Sequence, residues 1–277
     1  MCATKCEPYS IFDTIQFMLP FFIILTMTQA YVTTTYPKPG LAEITFFHPK
    51  HNSLPGDILA KLAQAIQYEG QNVDTQVVVL KSGGDRTFCA GASFDELVAI
   101  EDFGTGKEFF MGFARVINAC RKCPKLIIGR VQGKAVGGGV GVASAADYTL
   151  ATKFAAIKLS ELNVGIGPFV VGPAVERKIG ISAMSQLAID ANTFYSADWA
   201  RDKGLYAEVH EDAAQLDAAV DQLADYLLST NPEAQRHLKE IFWQGCEHWD
   251  ELLEQRAERS GRLVLSEYTK QALKKYH

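Results

Sequence analysis

Between Val136 and Ala146 the chain carries no side chain larger than valine. A stretch this bare cannot fill a core by its own bulk; it serves where backbone must pass close to something else. Read at helical period, Gly139 to Ala146 forms a helix of small residues able to pack closely, and Gly137-Gly138-Gly139-Val140-Gly141 opens it as a tight turn. A second bare turn, Phe88-Cys89-Ala90-Gly91-Ala92, lies upstream. Two such turns, brought together by the fold, can hold one oxygen atom between two main-chain N–H donors, which stabilises negative charge developing on a carbonyl oxygen. Glycine content alone fits two ordinary loops equally well.

The bare segments sit among alternating strands and helices. Leu41 to Phe47 reads as a strand bounded by Pro39-Gly40 and His48-Pro49. Ser53 and Pro55-Gly56-Asp57 then open a helix with Leu59, Leu62, Ala63 and Ile66 at helical spacing. Gln76 to Leu80 is an apolar run of the fully buried strand type, ended by Ser82-Gly83-Gly84. A helix with Phe94, Leu97 and Val98 on one face follows, then another over Glu108 to Arg121 and a strand over Lys125 to Val131. Short strands are expected at Tyr148–Ala151, Phe154–Ile157 and Leu205–Val209. From Gly172 the pattern turns helical, with a serine cap at Ser196 and a glycine stop at Gly204, and helices over 213–228, 232–243 and 250–276. Strands and helices interleaved in this way define an α/β fold.

With 48% hydrophobic and 21% charged residues the chain buries a sizeable core, and a net charge of −5 offers no phosphate track for nucleic acid. Its six cysteines are scattered, as expected of reduced thiols in a cytoplasmic protein. Cys120 and Cys123 form one pair with no second pair to complete a zinc site, so no metal is expected. Phe17 to Met27 is apolar but broken by Pro20, too short to span a bilayer, and lacks the basic lead of a signal peptide. Residues 1–26 read as an extension upstream of a start at Met27, or a loosely attached tail, ahead of a signal peptide. There is no dinucleotide fingerprint, P-loop, His-Glu-x-x-His or serine elbow.

Phe88-Cys89-Ala90-Gly91-Ala92-Ser93-Phe94-Asp95-Glu96-Leu97 resembles the first signature of the crotonase (enoyl-CoA hydratase/isomerase) superfamily. Val131 to Val140 resembles the second, with Asp147 in the place of the aspartate that usually follows. The resemblance covers the chain from Met27 onward. It implies an α/β crotonase-like spiral of repeated β-β-α units over residues 28–210, with a helical C-terminal region over 211–277 in assembly contacts and 1–27 outside the core. It implies an acyl-CoA substrate, a homotrimer or homohexamer, and no cofactor beyond the CoA of the substrate; neither nucleic acid nor membrane is an expected partner.

By position, the resemblance puts the oxyanion donors on the N–H groups of Ala92 and Gly138. It puts substrate contacts at Lys50, Arg86, Ala90, Phe94, Gly139 and Gly141. Asp95 replaces a basic position, and Lys274 and Lys275 could reach a neighbouring subunit's CoA phosphates. Hydratases of the family hold water between two glutamates. The first falls on Gly141, so that carboxylate is missing here; the second falls on Glu161, the expected base, whose apolar neighbours Leu159 and Leu162 would raise its pKa. A single base suits double-bond isomerisation, favoured slightly by the Gly165-Ile166-Gly167-Pro168-Phe169 continuation. Hydration aided by Asp95 or Glu96, other thioester chemistry, and a silent acyl-CoA-binding protein remain open.

Overall fold

The computed structural model describes residues 29–276. The expectations for residues 1–26 therefore lie outside the described residues. A hairpin starts the fold: β1 (Tyr31–Lys38) runs antiparallel to β2 (Gly40–Phe47), turning at Gly40, whose φ of +83° suits a residue without Cβ. Thereafter the main sheet is parallel, in the order β1-β2-β4-β7-β9-β11, with β4 (Thr75–Ser82), β7 (Leu126–Val131), β9 (Tyr148–Thr152) and β11 (Glu208–His210).

Each of four consecutive sheet strands is followed by short strands of a second layer and then helix, which is the expected β-β-α spiral. β2 leads to β3 (Ser53–Leu54) and α1 (Gly56–Gln71); β4 leads to β5 (Thr87–Cys89), β6 (Gly91–Ala92), α2 (Phe94–Val98) and α3 (Phe103–Lys122). β7 leads to β8 (Lys134–Val136) and α4 (Gly138–Ala145); β9 leads to β10 (Ile157–Lys158), a 3₁₀ turn (Glu161–Val164) and α5 (Gly172–Ile189). The second layer pairs β10-β8-β5 in one ribbon and β3-β6 in another, all parallel. These short pairings align the ends of successive turns of the spiral, where the two bare segments meet.

Strand alternation explains the two cores. Val78 and Leu80 of β4 face α1 and α3, while Val77 and Val79 face the other way, onto Leu216, Val220 and Ala224 of α7 (Ala213–Leu228). The C-terminal region thus packs on the second face of the sheet, over β2, β4, β7 and β9. α6 (Ala197–Asp202) is capped as expected: the Ser196 hydroxyl accepts from the Trp199 N–H, and Gly204 takes φ +90°.

Further along, α8 (Pro232–Phe242) is fastened to the sheet through Asp147. The Lys239 ammonium sits 2.7 Å from its Oδ2, the Trp243 indole donates to Oδ1 at 2.9 Å, and the Ile127 N–H donates to Oδ2 at 2.8 Å. Both members of that ion pair are almost fully buried, at 3% and 4% side-chain exposure. The aspartate of the second signature is therefore a structural clasp, every bond of which crosses between elements.

Three expected elements differ. Phe154 is 60% exposed in a turn, and the strand there is confined to Ile157–Lys158, the two residues that meet the edge of β8. Leu205 and Tyr206 are buried core residues ahead of the strand, which is Glu208–His210. The expected helix over 250–276 is two, α9 (Trp249–Leu263) and α10 (Glu267–Leu273), because Ser266 turns extended and its hydroxyl caps the Thr269 N–H.

Candidate active site

The spiral encloses a cavity of about 450 Å³ where the second-layer strands end. Ala90, Gly91 and Ala92 form one lip and Gly137 and Gly138 the other. The two lips approach closely: a Cβ added to Gly91, at φ +96°, would lie 3.2 Å from the Val136 carbonyl and 3.7 Å from the Gly138 nitrogen. Gly138 opens α4, so its N–H belongs to a first turn that no helical carbonyl can satisfy, and the partial positive charge of the helix start adds to it. Any side chain at Gly138 would run into the Phe113 ring. The bareness of this position is therefore required by the aromatic wall behind it.

Glu161 begins the 3₁₀ turn that follows β10. Its carboxylate lies against the Gly137 turn, where an added Cβ would come within 3.0 Å of Oε1. Although the residue as a whole is half-buried, its Oε2 is shut off from solvent and has no hydrogen-bond partner within the described residues. Burial pushes the carboxyl up to about 7, opposed only by backbone hydrogen bonds. Leu159 shares in that burial, but Leu162 does not, being 50% exposed. The apolar surroundings come instead from cavity walls such as Phe113, Val136, Val164 and Val170. The turn is held from outside. Gly165, at φ +78°, ends it, the Thr269 hydroxyl of α10 reaches the Gly165 carbonyl at 3.4 Å, and an added Cβ would fall 2.6 Å from Thr269 and from Tyr268.

Ala90, Ala92, Phe94, Gly138 and Glu161 thus line one cavity. Gly139 and Gly141 do not line it; both are buried in α4, Gly141 behind the cavity-lining Val171. A Cβ at Gly139 would lie 2.5 Å from the Cys89 carbonyl, and one at Gly141 would lie 2.6 Å from Val171 Cγ1. Lys50 is exposed and paired with Asp95, and Arg86 is exposed beside β5. Glu96 accepts from the Gly56 N–H at 3.0 Å, capping α1. Lys274 and Lys275 lie exposed in a terminal 3₁₀ turn.

Sequence reasoning missed the aromatic wall of Phe109, Phe110 and Phe113 on α3, whose spacing of one helical turn was its only trace. Val171 and Lys158, which also line the cavity, left no such trace. Cys89, Cys120, Cys123 and Cys246 are buried free thiols, and the described residues include no cluster able to hold a metal ion.

A family model described as enoyl-CoA hydratase/isomerase matches residues 14–275. The chain belongs to that family. Enoyl-CoA hydratase/isomerase members are enzymes of acyl-CoA thioesters, and relatives with that chemistry in their names recur. A (7aS)-7a-methyl-1,5-dioxo-2,3,5,6,7,7a-hexahydro-1H-indene-carboxyl-CoA hydrolase of Mycobacterium tuberculosis is 29% identical over 76% of this chain and 83% of its own. A peroxisomal Delta(3,5)-Delta(2,4)-dienoyl-CoA isomerase of Arabidopsis thaliana is 26% identical over 72% of this chain and 76% of its own. In fold, the chain is similar to an enoyl-CoA hydratase from Bacillus halodurans, with a TM-score of 0.82, 21% identity, and coverage of 88% of this chain and 99% of that one.

Proposed function

We propose that this family member shifts the double bond of an enoyl-CoA thioester, using Glu161 as its one proton carrier. The carrying observation is Val171. Its side chain occupies the space into which a residue at 141 would project, and Glu161 is the only carboxylate among the described residues that line the cavity. Glu96 is engaged at the start of α1 and Asp95 with Lys50, so neither stands ready as a second base. Hydration needs a water held and deprotonated while the α-carbon is protonated; isomerisation needs one base acting twice.

The steps follow from the geometry. The thioester oxygen accepts from the Ala92 and Gly138 N–H groups. Glu161 removes a proton from the α-carbon of a 3-enoyl thioester; the electron pair delocalises through the carbonyl onto the held oxygen as a dienolate. The same carboxyl returns the proton to the γ-carbon, giving the 2-enoyl thioester. A carboxyl near pKa 7 is balanced between accepting and returning it.

The test is Glu161→Gln assayed beside the wild type on matched 2-enoyl and 3-enoyl thioesters. The wild type should interconvert them and the variant should lose roughly 10²–10⁴-fold. A wild type that adds water and does not move the double bond overturns the isomerase reading; one that binds the thioesters and turns over none makes the chain a silent binder. The hydrolase-named relative favours a second reading, hydrolysis aided by the same carboxylate, so a bicyclic dioxo acyl-CoA belongs in the same panel. Self-association is part of the proposal too. Ile181 and Ile189 of α5 and Ile241 of α8 are 66%, 74% and 63% exposed, apolar surface suited to a second copy.

A further inference from the structure

β8 and β10 pair in parallel with Ala135 opposite Ile157 and Val136 opposite Lys158. Ala135 and Ile157 are fully buried, so alternation sets Lys134, Val136 and Lys158 together on the other face of this ribbon. Val136 and Lys158 on that face line the cavity, and Lys134 lies exposed beside them at the start of β8. The Lys134 and Lys158 ammonium groups stand 4.9 and 5.0 Å from the centroid of one ring, Phe194. Two cations thus lie against one aromatic ring, and neither has a carboxylate in ion-pair contact among the described residues.

Glu161 does not answer them. It lies three residues beyond Lys158, yet its ionisation is governed by burial and backbone hydrogen bonds, with no lysine drawing it down. The pair therefore presents positive charge with no ion-paired carboxylate among the described residues, and an anion bound beside it would be favoured. Position decides which anion. The Lys158 carbonyl accepts from the Gly137 N–H at 2.8 Å, so this strand is continuous with the floor of the reaction site itself.

We propose that Lys158, assisted by Lys134, forms a subsite for a carboxylate carried on the acyl group, so that the favoured substrates are CoA mono-thioesters of dicarboxylic acids. This rests on the acyl-CoA reading above and narrows its substrate class.

The experiment measures binding, so that it stands apart from turnover. Calorimetry compares two saturated thioesters of equal length, hexanoyl-CoA and adipoyl-CoA (thioester at one end, free carboxylate at the other), together with free CoA. The wild type should bind the carboxylated thioester roughly tenfold or more tightly than its methyl-ended partner. Lys158→Met should abolish that preference while leaving hexanoyl-CoA and free CoA unchanged, Lys158→Arg should retain it, and Lys134→Met should reduce it. Equal binding of the two thioesters by the wild type overturns the proposal. So does a Lys158→Met that weakens free CoA as much as adipoyl-CoA, which would make the lysine a contact for CoA phosphates. Loss of isomerase activity in Glu161→Gln with the carboxylate preference intact would support both readings; absence of isomerase activity in the wild type with the preference intact would remove only the earlier one.

Discussion

In the proposed isomerisation Glu161 serves as both base and acid. As a base it must be ionised, so kcat for isomerisation should rise with pH through about 7 and level off above it. The same shift has a cost in stability. A carboxyl whose folded pKa lies above its unfolded value binds protons more tightly when folded, so its contribution is most favourable below about 4.5 and is lost as pH rises towards 7. Glu161→Gln should therefore melt above the wild type at pH 8, by at most about 3 kcal/mol in unfolding free energy, and the gap should close towards pH 4. Denaturant unfolding at the two pH values checks this. Ala92, Gly138 and Glu161 were reached through the two family signatures and the positions that go with them, and the structure places all three on one cavity. The two lysines on Phe194 were not, because Phe194 comes to them from a loop far along the chain.

At the scale of elements, α4 behaves as a spacer whose bareness is matched by its neighbours. Gly141→Glu alone should destabilise the protein by overpacking against Val171, by about 1–3 kcal/mol or more. Pairing it with Val171→Ala opens room for the new side chain, and this double variant should gain measurable hydration of 2-enoyl thioesters that the parent lacks. No gain, in a variant that melts as the parent does, would show that a second carboxylate is insufficient here. The clasp under α8 makes a different prediction. Asp147→Ala strands the buried Lys239 ammonium, so unfolding free energy should fall by about 3–5 kcal/mol, read from the denaturant midpoint. Periodicity located most helices, since their buried stripes follow from local spacing. It missed the break at Ser266, where one serine cap in an otherwise helical run decides between one helix and two. It also could not show that residue 141 faces residue 171, a pairing made only by winding the spiral.

The whole molecule was readable as class and incompletely as assembly. Strand–helix alternation and two signatures in order suffice for the spiral, whereas a surface for self-association carries no comparable sequence pattern. Sedimentation equilibrium should return three or six times the 30.5 kDa chain mass. A monomer at micromolar concentration would remove the self-association proposal and leave the chemistry untouched.

The grip of Thr269 on the turn that carries Glu161 also has a meaning in time. The two partners lie 104 residues apart, Gly165 well ahead of Thr269. At a synthesis rate of about 5–20 residues per second, the glutamate leaves the ribosome roughly 5–20 s before the helix that steadies it. Through that interval the turn bearing Glu161 lacks its contact from α10, so the segment around the cavity is completed from the far end of the chain.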